Sequence, residues 1–261
     1  MSQRRNIKLL LAFDGTGYAG WQKQKSEKTV QGIIEDGIQV MTGEHCALHG
    51  AGRTDAGVHA LGMVANFYTE ADIPCQGFVK GLNSLLPQDV RVLDASDVSP
   101  DFHARRAAKG KTYWYDFVNG RIQLPTERLY TAYIPGILDF EAMKLGLACL
   151  VGTYDFSSFE GAGSRDPELP GRGAIRTITE ASLETIAALG IHRFVITGDG
   201  FLRHMVRNIV GTVFEIGKGR LAHSDMPAVL AAKKRGAAGP TGPAAGLFLK
   251  KIFYPSHDGI S

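Results

Sequence analysis

ALHGAGRTDAGVHALGMVANFY, residues 47–68, sets two strand-like runs around a single acid held between glycines. Ala47–Ala51 reads as extended, and Leu61–Tyr68 alternates loosely in the manner of a half-buried strand. Between them Asp55 stands with Gly52 on one side, Gly57 on the other and Arg53 two positions before it. Glycine reaches positive φ without a Cβ penalty, so the backbone can turn sharply here and another molecule can approach closely. Connections between strands are where functional residues concentrate. The residues alone leave two readings open: an Asp that builds its own turn, or a reactive carboxylate on display.

Outward from this stretch, the pattern predicts a strand at Lys8–Phe13 and a helix at Val30–Met41, with Ile33, Ile34, Gly37, Ile38 and Met41 inward and Thr29 as its N-cap. Strands near 46–53 and 60–68 follow, then a helix over Cys75–Leu85 after Pro74, then a strand at Val90–Ala95. The order β-α-β-β-α-β is the split βαβ arrangement. It partly recurs: strand Thr112–Val118, helix Phe140–Leu150, strands Ile175–Leu183 and Ile191–Thr197, helix Leu202–Ile216, then helix Met226–Ala232 and strand Leu247–Phe253. An α+β protein of two halves is expected, residues 1–105 carrying the Asp55 loop and 106–261 forming the second half. Glu160–Gly173, rich in Gly and Pro, reads as a mobile loop.

Composition narrows the classes. Of 261 residues, 44% are apolar and 21% charged, the profile of a globular domain. The 32 glycines are an excess over the usual ~7% and point to many tight turns. No apolar run has the length of a membrane span and no signal-type segment follows the basic first residues, so a cytoplasmic location is expected. Cys46, Cys75 and Cys149 are odd in number and form no Cys-x-x-Cys pair; reduced thiols are expected. His45, Cys46 and His49 cluster, but no second ligand pair follows, so no metal site is expected.

The net charge of +3 argues only weakly for a nucleic-acid partner; local clustering argues better. Arg105, Arg106, Lys109 and Lys111 fall in one acid-free segment with His103. Arg203, His204 and Arg207 form a second cluster, Lys218 and Arg220 a third, and Lys233–Arg235 a fourth. Any one of them suits a solvated surface, whereas several on one chain fit phosphate contacts.

Seven motifs carry a resemblance. Gly52-Arg53-Thr54-Asp55-Ala56-Gly57-Val58-His59 is similar to the signature of the tRNA pseudouridine synthase A family. So, in the family's order, are Phe13–Gln22 and Thr29–Gly32 before it, and Phe102–Arg105, Lys111–Tyr115, His204–Gly211 and Gly246–Leu249 after it. The resemblance covers roughly the whole chain. It implies two related (ferredoxin-like, RRM-like) halves whose antiparallel strands form one broad sheet, with helices on one side and the catalytic cleft between the halves. It also implies isomerisation of uridine to pseudouridine at positions 38, 39 and 40 of the tRNA anticodon arm, and a homodimer. Asp55 takes the catalytic position. Tyr113 stacks on the target uracil and helps remove the C5 proton, Arg207 supplies the cation beside the acid, and Leu247 packs on the other side of the base.

The chemistry suits these residues. The reaction breaks the bond from C1′ to N1 and rejoins the base through C5; nothing is oxidised and no group is imported, so no cofactor is expected. Gly15-Thr16-Gly17-Tyr18-Ala19-Gly20 matches a dinucleotide fingerprint superficially, but lacks the acidic partner about twenty residues later. A carboxylate can serve as nucleophile or base toward the nucleoside. An arginine within a few Å keeps it ionised. A paired uridine must leave its stack, and Arg53 is placed to fill the vacated space or to hold the flipped phosphate. Arg105, Lys109, Lys111 and Arg203 are the candidate phosphate contacts. Two rivals remain: a non-catalytic RNA-binding module, and a glycosidase-like hydrolase needing a second carboxylate, for which Asp14 is the conspicuous candidate. Two places depart from the family's usual text: Trp114, where arginine is common, and Gly239–Ala245, only partly like its Pro-rich stretch.

Overall fold

A computed structural model describes residues 4–161 and 173–255. The segment read as a mobile loop, Glu160–Gly173, lies outside the described residues except at its ends. The fold is α+β, its strands mostly antiparallel, and the chain packs as two compact units: Met1–Lys109 with Phe248–Ser261, and Gly110–Leu247.

In the first unit β1 (Arg5–Phe13) is flanked by β3 (His59–Thr69) and β4 (Val90–Val98), both antiparallel to it, with Ile7 opposite Phe67. The two-residue β2 (His49–Gly50) pairs with β3, whose other edge takes β10 (Leu247–Phe253) in parallel, Phe248 opposite His59. On one face Ile7, Leu9, Leu11 and Phe67 are fully buried. Helices α1 (Val30–Thr42) and α2 (Cys75–Leu85) pack against each other. Phe78 of α2 meets Phe67 edge-on at 5.4 Å. Thr29 caps α1 by accepting the Gly32 N–H, as the sequence predicts. Gly37 lets the two helices close, since a Cβ there would lie 3.2 Å from Leu82 Cδ2. On the opposite face Asn6 and Asn66 are bonded to each other at 2.9 Å. Asn6 Nδ2 donates to the carbonyls of Ser99 and Phe102, and the Ala104 N–H donates to Asn66 Oδ1. The start of the basic segment is thereby fastened onto the sheet, with Phe102 and Ala104 buried beneath it.

In the second unit the strand order is β5 (Gly110–Val118), β9 (Ile191–Gly198), β8 (Ile175–Ile186), β7 (Gly152–Asp155), with β6 (Ala132–Tyr133) parallel to β5. Helices α3 (Phe140–Ala148), α4 (Met205–Gly217) and α5 (Met226–Ala232) complete it. Its core is aromatic: Phe117 lies 5.2 Å from Phe194 and 5.0 Å from Phe214 of α4, and Tyr115 6.0 Å from Phe214. Side chains alternate along a strand, so Trp114 and Asp116 point the other way from Tyr115. There Arg193 donates to both Asp116 oxygens, at 2.6 and 2.7 Å, and lies 3.8 Å above the Trp114 ring.

Three expectations differ from what forms. The strand expected over 46–53 shrinks to His49–Gly50, because beyond Ala51, which still donates to Val64 of β3, the chain turns away and the Thr54 carbonyl accepts from Trp21. Strands β6 and β7 are too short to carry an alternation signal. Helix α4 starts at Met205 rather than Leu202, because His204 has φ +60°, ψ 0° and ends the preceding turn.

Candidate active site

Asp55 sits on the loop from β2 to β3, half-buried, in a turn closed by the Val58 N–H donating to the Asp55 carbonyl at 3.1 Å. Gly57, at φ +75°, supplies the left-handed residue. This loop lies on the segment that opens the chain. Trp21 N–H donates to the Thr54 carbonyl at 3.1 Å and Gly57 N–H to the Tyr18 carbonyl at 3.3 Å. The approach leaves no room for side chains: a Cβ on Gly20 (φ +98°) would fall 2.5 Å from Thr54 O, and one on Gly15 would fall 2.0 Å from Val58 O. The Gly15–Gly20 run therefore supports the Asp55 loop. Buried His59 accepts the Gly15 N–H at Nδ1 (3.1 Å) and stacks on Phe248 at 4.6 Å.

Asp14 accepts from the Thr16 N–H and hydroxyl through one oxygen, so it builds a turn. Arg53 is exposed beside Asp55. Arg105 is half-buried, its N–H donating to His103 Nδ1 at 3.2 Å; the His103 ring lies 5.0 Å from His49. The Lys109 side chain is exposed. Among the described residues no three His, Cys, Asp or Glu are grouped to hold a metal ion.

In the second unit Tyr113 and Tyr115 share one face of β5 but differ in setting. Tyr115 is fully buried, its hydroxyl donating to the Pro243 carbonyl at 3.0 Å. Burial pushes that phenol well above its ordinary value, with the positive charge of Arg207 acting in the opposite sense. It is a core residue. Tyr113 retains 8% of its surface and meets Phe201 edge-on at 5.1 Å. Arg207 projects from the first turn of α4, where its Nε donates to the Gly242 carbonyl at 2.8 Å and its own carbonyl accepts the Gly242 N–H at 2.9 Å. The stretch Gly239–Gly246 thus lies against α4 and β5. A Cβ on Gly211 of α4 would fall 1.6 Å from Pro240 O, which explains that glycine. Leu247, at the end of the stretch, is buried.

Arg203 is exposed, its carbonyl accepting the Gly161 N–H, and Lys111 is half-buried at the start of β5. Two of the basic clusters do local work. Lys218 and Arg220 both pair with Glu215, and Arg235 binds the carbonyls of Ala238 and Gly239 together with Asn208 and Thr241. The structural parts played by Gly20 and His59 beneath the Asp55 loop, and by His204 at the start of α4, are not evident from the sequence. The positive φ of His204, rare for a residue with a Cβ, has no signal in the local sequence.

Comparison with known proteins shows the family. A family model described as tRNA pseudouridine synthase matches residues 10–105 and 147–255. The chain is 49% identical over 251 residues to tRNA pseudouridine synthase A 1 of Desulfotalea psychrophila, covering 96% of this chain and all of that one. It is 46% identical over 250 residues to tRNA pseudouridine synthase A of Acetivibrio thermocellus, again 96% of this chain and all of the relative. The chain belongs to the tRNA pseudouridine synthase family, whose members are isomerases of tRNA uridines.

Proposed function

We propose that the protein converts uridine to pseudouridine at positions 38, 39 and 40 of the tRNA anticodon stem-loop, with Asp55 as nucleophile or base and without a cofactor. The observation that carries this reading is the Asp55 loop: a half-buried carboxylate, on a turn braced from below by glycines, inside a chain similar to its relatives from end to end. In the reaction the C1′–N1 bond breaks, the freed base turns, C1′ bonds to C5, the C5 hydrogen leaves as a proton and N1 gains one.

Each residue has a task. Asp55 acts toward the nucleoside, Arg207 supplies positive charge, and Tyr113 offers a ring face to the base and a phenol for the C5 proton. Stacking on such a ring contributes about 1–3 kcal/mol. Leu247 packs on the base, and exposed Arg53 enters the space the uridine leaves. Arg105, Lys109, Lys111 and Arg203 contact phosphate. The partner is the anticodon arm; the enzyme is a cytoplasmic homodimer. Asp14 Oδ1 accepts from the Thr16 N–H and hydroxyl, which favours a turn-building role over that of a hydrolase's second acid.

The test incubates the purified protein with unmodified tRNA and no added metal or nucleotide, then maps pseudouridine along the RNA. Product confined to positions 38–40 is expected. Product at other positions, or release of free uracil, contradicts the proposal.

A further inference from the structure

Gln31, in the first turn of α1, fills every hydrogen-bonding position of its side chain. Oε1 accepts from the Lys23 N–H at 2.8 Å and from Gln22 Nε2 at 3.0 Å; Nε2 donates to the Leu48 carbonyl at 3.0 Å and to Glu35 Oε1 at 3.1 Å. A primary amide offers two lone pairs and two N–H groups, so none is left over. Glu35 Oε1 takes the Leu48 N–H as well, at 3.1 Å, and its other oxygen pairs with Lys23 Nζ at 3.0 Å. Both backbone groups of Leu48 are thus held from α1.

The two segments joined by this amide are the ones that set Asp55. Leu48 leads into β2 and the Asp55 loop. Lys23 ends the segment on which that loop rests through Trp21, Gly20 and Tyr18, and the Gln31 N–H itself donates to the Trp21 carbonyl at 3.0 Å. We infer that Gln31 is a positioning residue for turnover: its amide clamps the strand entering the Asp55 loop to the segment beneath that loop and so fixes where the carboxylate stands. The inference rests on the reading of Asp55 as the reactive acid. A displacement of about 1 Å at a reacting group costs up to ~10²-fold in rate, so a clamp of this kind acts on the chemical step more than on RNA binding.

Single-turnover release of tritium from tRNA carrying [5-³H]uridine, tRNA affinity and the melting midpoint are measured for Gln31→Met and Gln31→Glu. Gln31→Met removes all four bonds at similar volume. It is expected to slow release by about tenfold or more while tRNA affinity stays within about twofold. Gln31→Glu keeps the acceptor and sets a carboxylate against Glu35 and the Leu48 carbonyl. Protonation returns one donor, so its rate relative to the unsubstituted protein is expected to recover as the pH falls toward about 5. A merely loosened fold has no reason to tighten in acid. A Gln31→Met rate within about twofold, or rate and affinity falling in proportion, overturns the inference; should that variant not fold, a pH-independent Gln31→Glu ratio overturns it. Asp55→Asn is run alongside. If it is inactive while Gln31→Met is normal, only the clamp is lost; if it is active, the reading of Asp55 itself fails.

Discussion

The two units hold their candidate residues in opposite ways. In the first, a loop carries the carboxylate, and that loop rests on another through backbone hydrogen bonds and glycines with no space for a Cβ. In the second, regular elements carry the side chains, Tyr113 on β5 and Arg207 on α4, and the 239–246 stretch lies against them as a brace. A group on a strand or helix inherits its position from a repeating hydrogen-bond ladder, whereas a group on a loop needs each contact individually. Small changes beneath the Asp55 loop should therefore affect turnover first, while changes at the second unit's brace should affect stability first.

Tyr113→Phe removes one hydroxyl from a strand and leaves the ring against Phe201. It is expected to keep tRNA binding and lose about 10²–10⁴-fold in turnover, the scale of a proton-transfer group. A variant with near-normal tritium release would remove Tyr113 from the chemistry. Gly20→Ala places a Cβ 2.5 Å from Thr54 O at φ +98°. Turnover is expected to fall about 10²-fold with the fold retained; if melting falls sharply while residual activity per folded molecule is normal, the loop is not as sensitive as described. Gly211→Ala, whose Cβ would overlap Pro240 O, is the counterpart. A stability loss of about 1–3 kcal/mol is expected, with activity per folded molecule largely preserved, read by denaturant titration beside the rate.

The smallest effect lies within the first unit, between β1 and β4. The Arg5 guanidinium holds the Asp97 carboxyl below its ordinary value, a pair that is largely exposed. A depressed folded-state value means stabilisation present above the unfolded value and lost as pH falls through the folded one. The melting difference between the protein and Asp97→Asn, less than about 1 kcal/mol at neutral pH, should therefore vanish below the carboxylate range. Persistence in acid would assign it to packing.

Much of this molecule is legible in its residues. Thr29 before an apolar 3.6 period marks α1, Pro74 marks the start of α2, and Leu247–Phe253 emerges as a strand with its observed bounds. Legibility ends where tertiary contacts choose the backbone's partners. The residues after Gly50 look extended, yet their hydrogen bonds go to Val64 and Trp21 in turn, so they form a loop. Gly152–Asp155 pairs along one edge of β8 and is too short for a period to register. Asp55 in the first unit, and Tyr113 and Arg207 in the second, stand in motifs that a reader can recognise. The four-way bonding of Gln31 depends on three segments meeting in space, which no local pattern encodes.

The proposed chemistry depends above all on the carboxylate of Asp55. The most direct test compares tritium release from [5-³H]uridine-labelled tRNA by the protein and by Asp55→Asn, with tRNA affinity measured in parallel. Release at background with affinity within about twofold is the predicted result, since the amide keeps the shape and loses the charge. Release by Asp55→Asn at a rate comparable to that of the unsubstituted protein would contradict it.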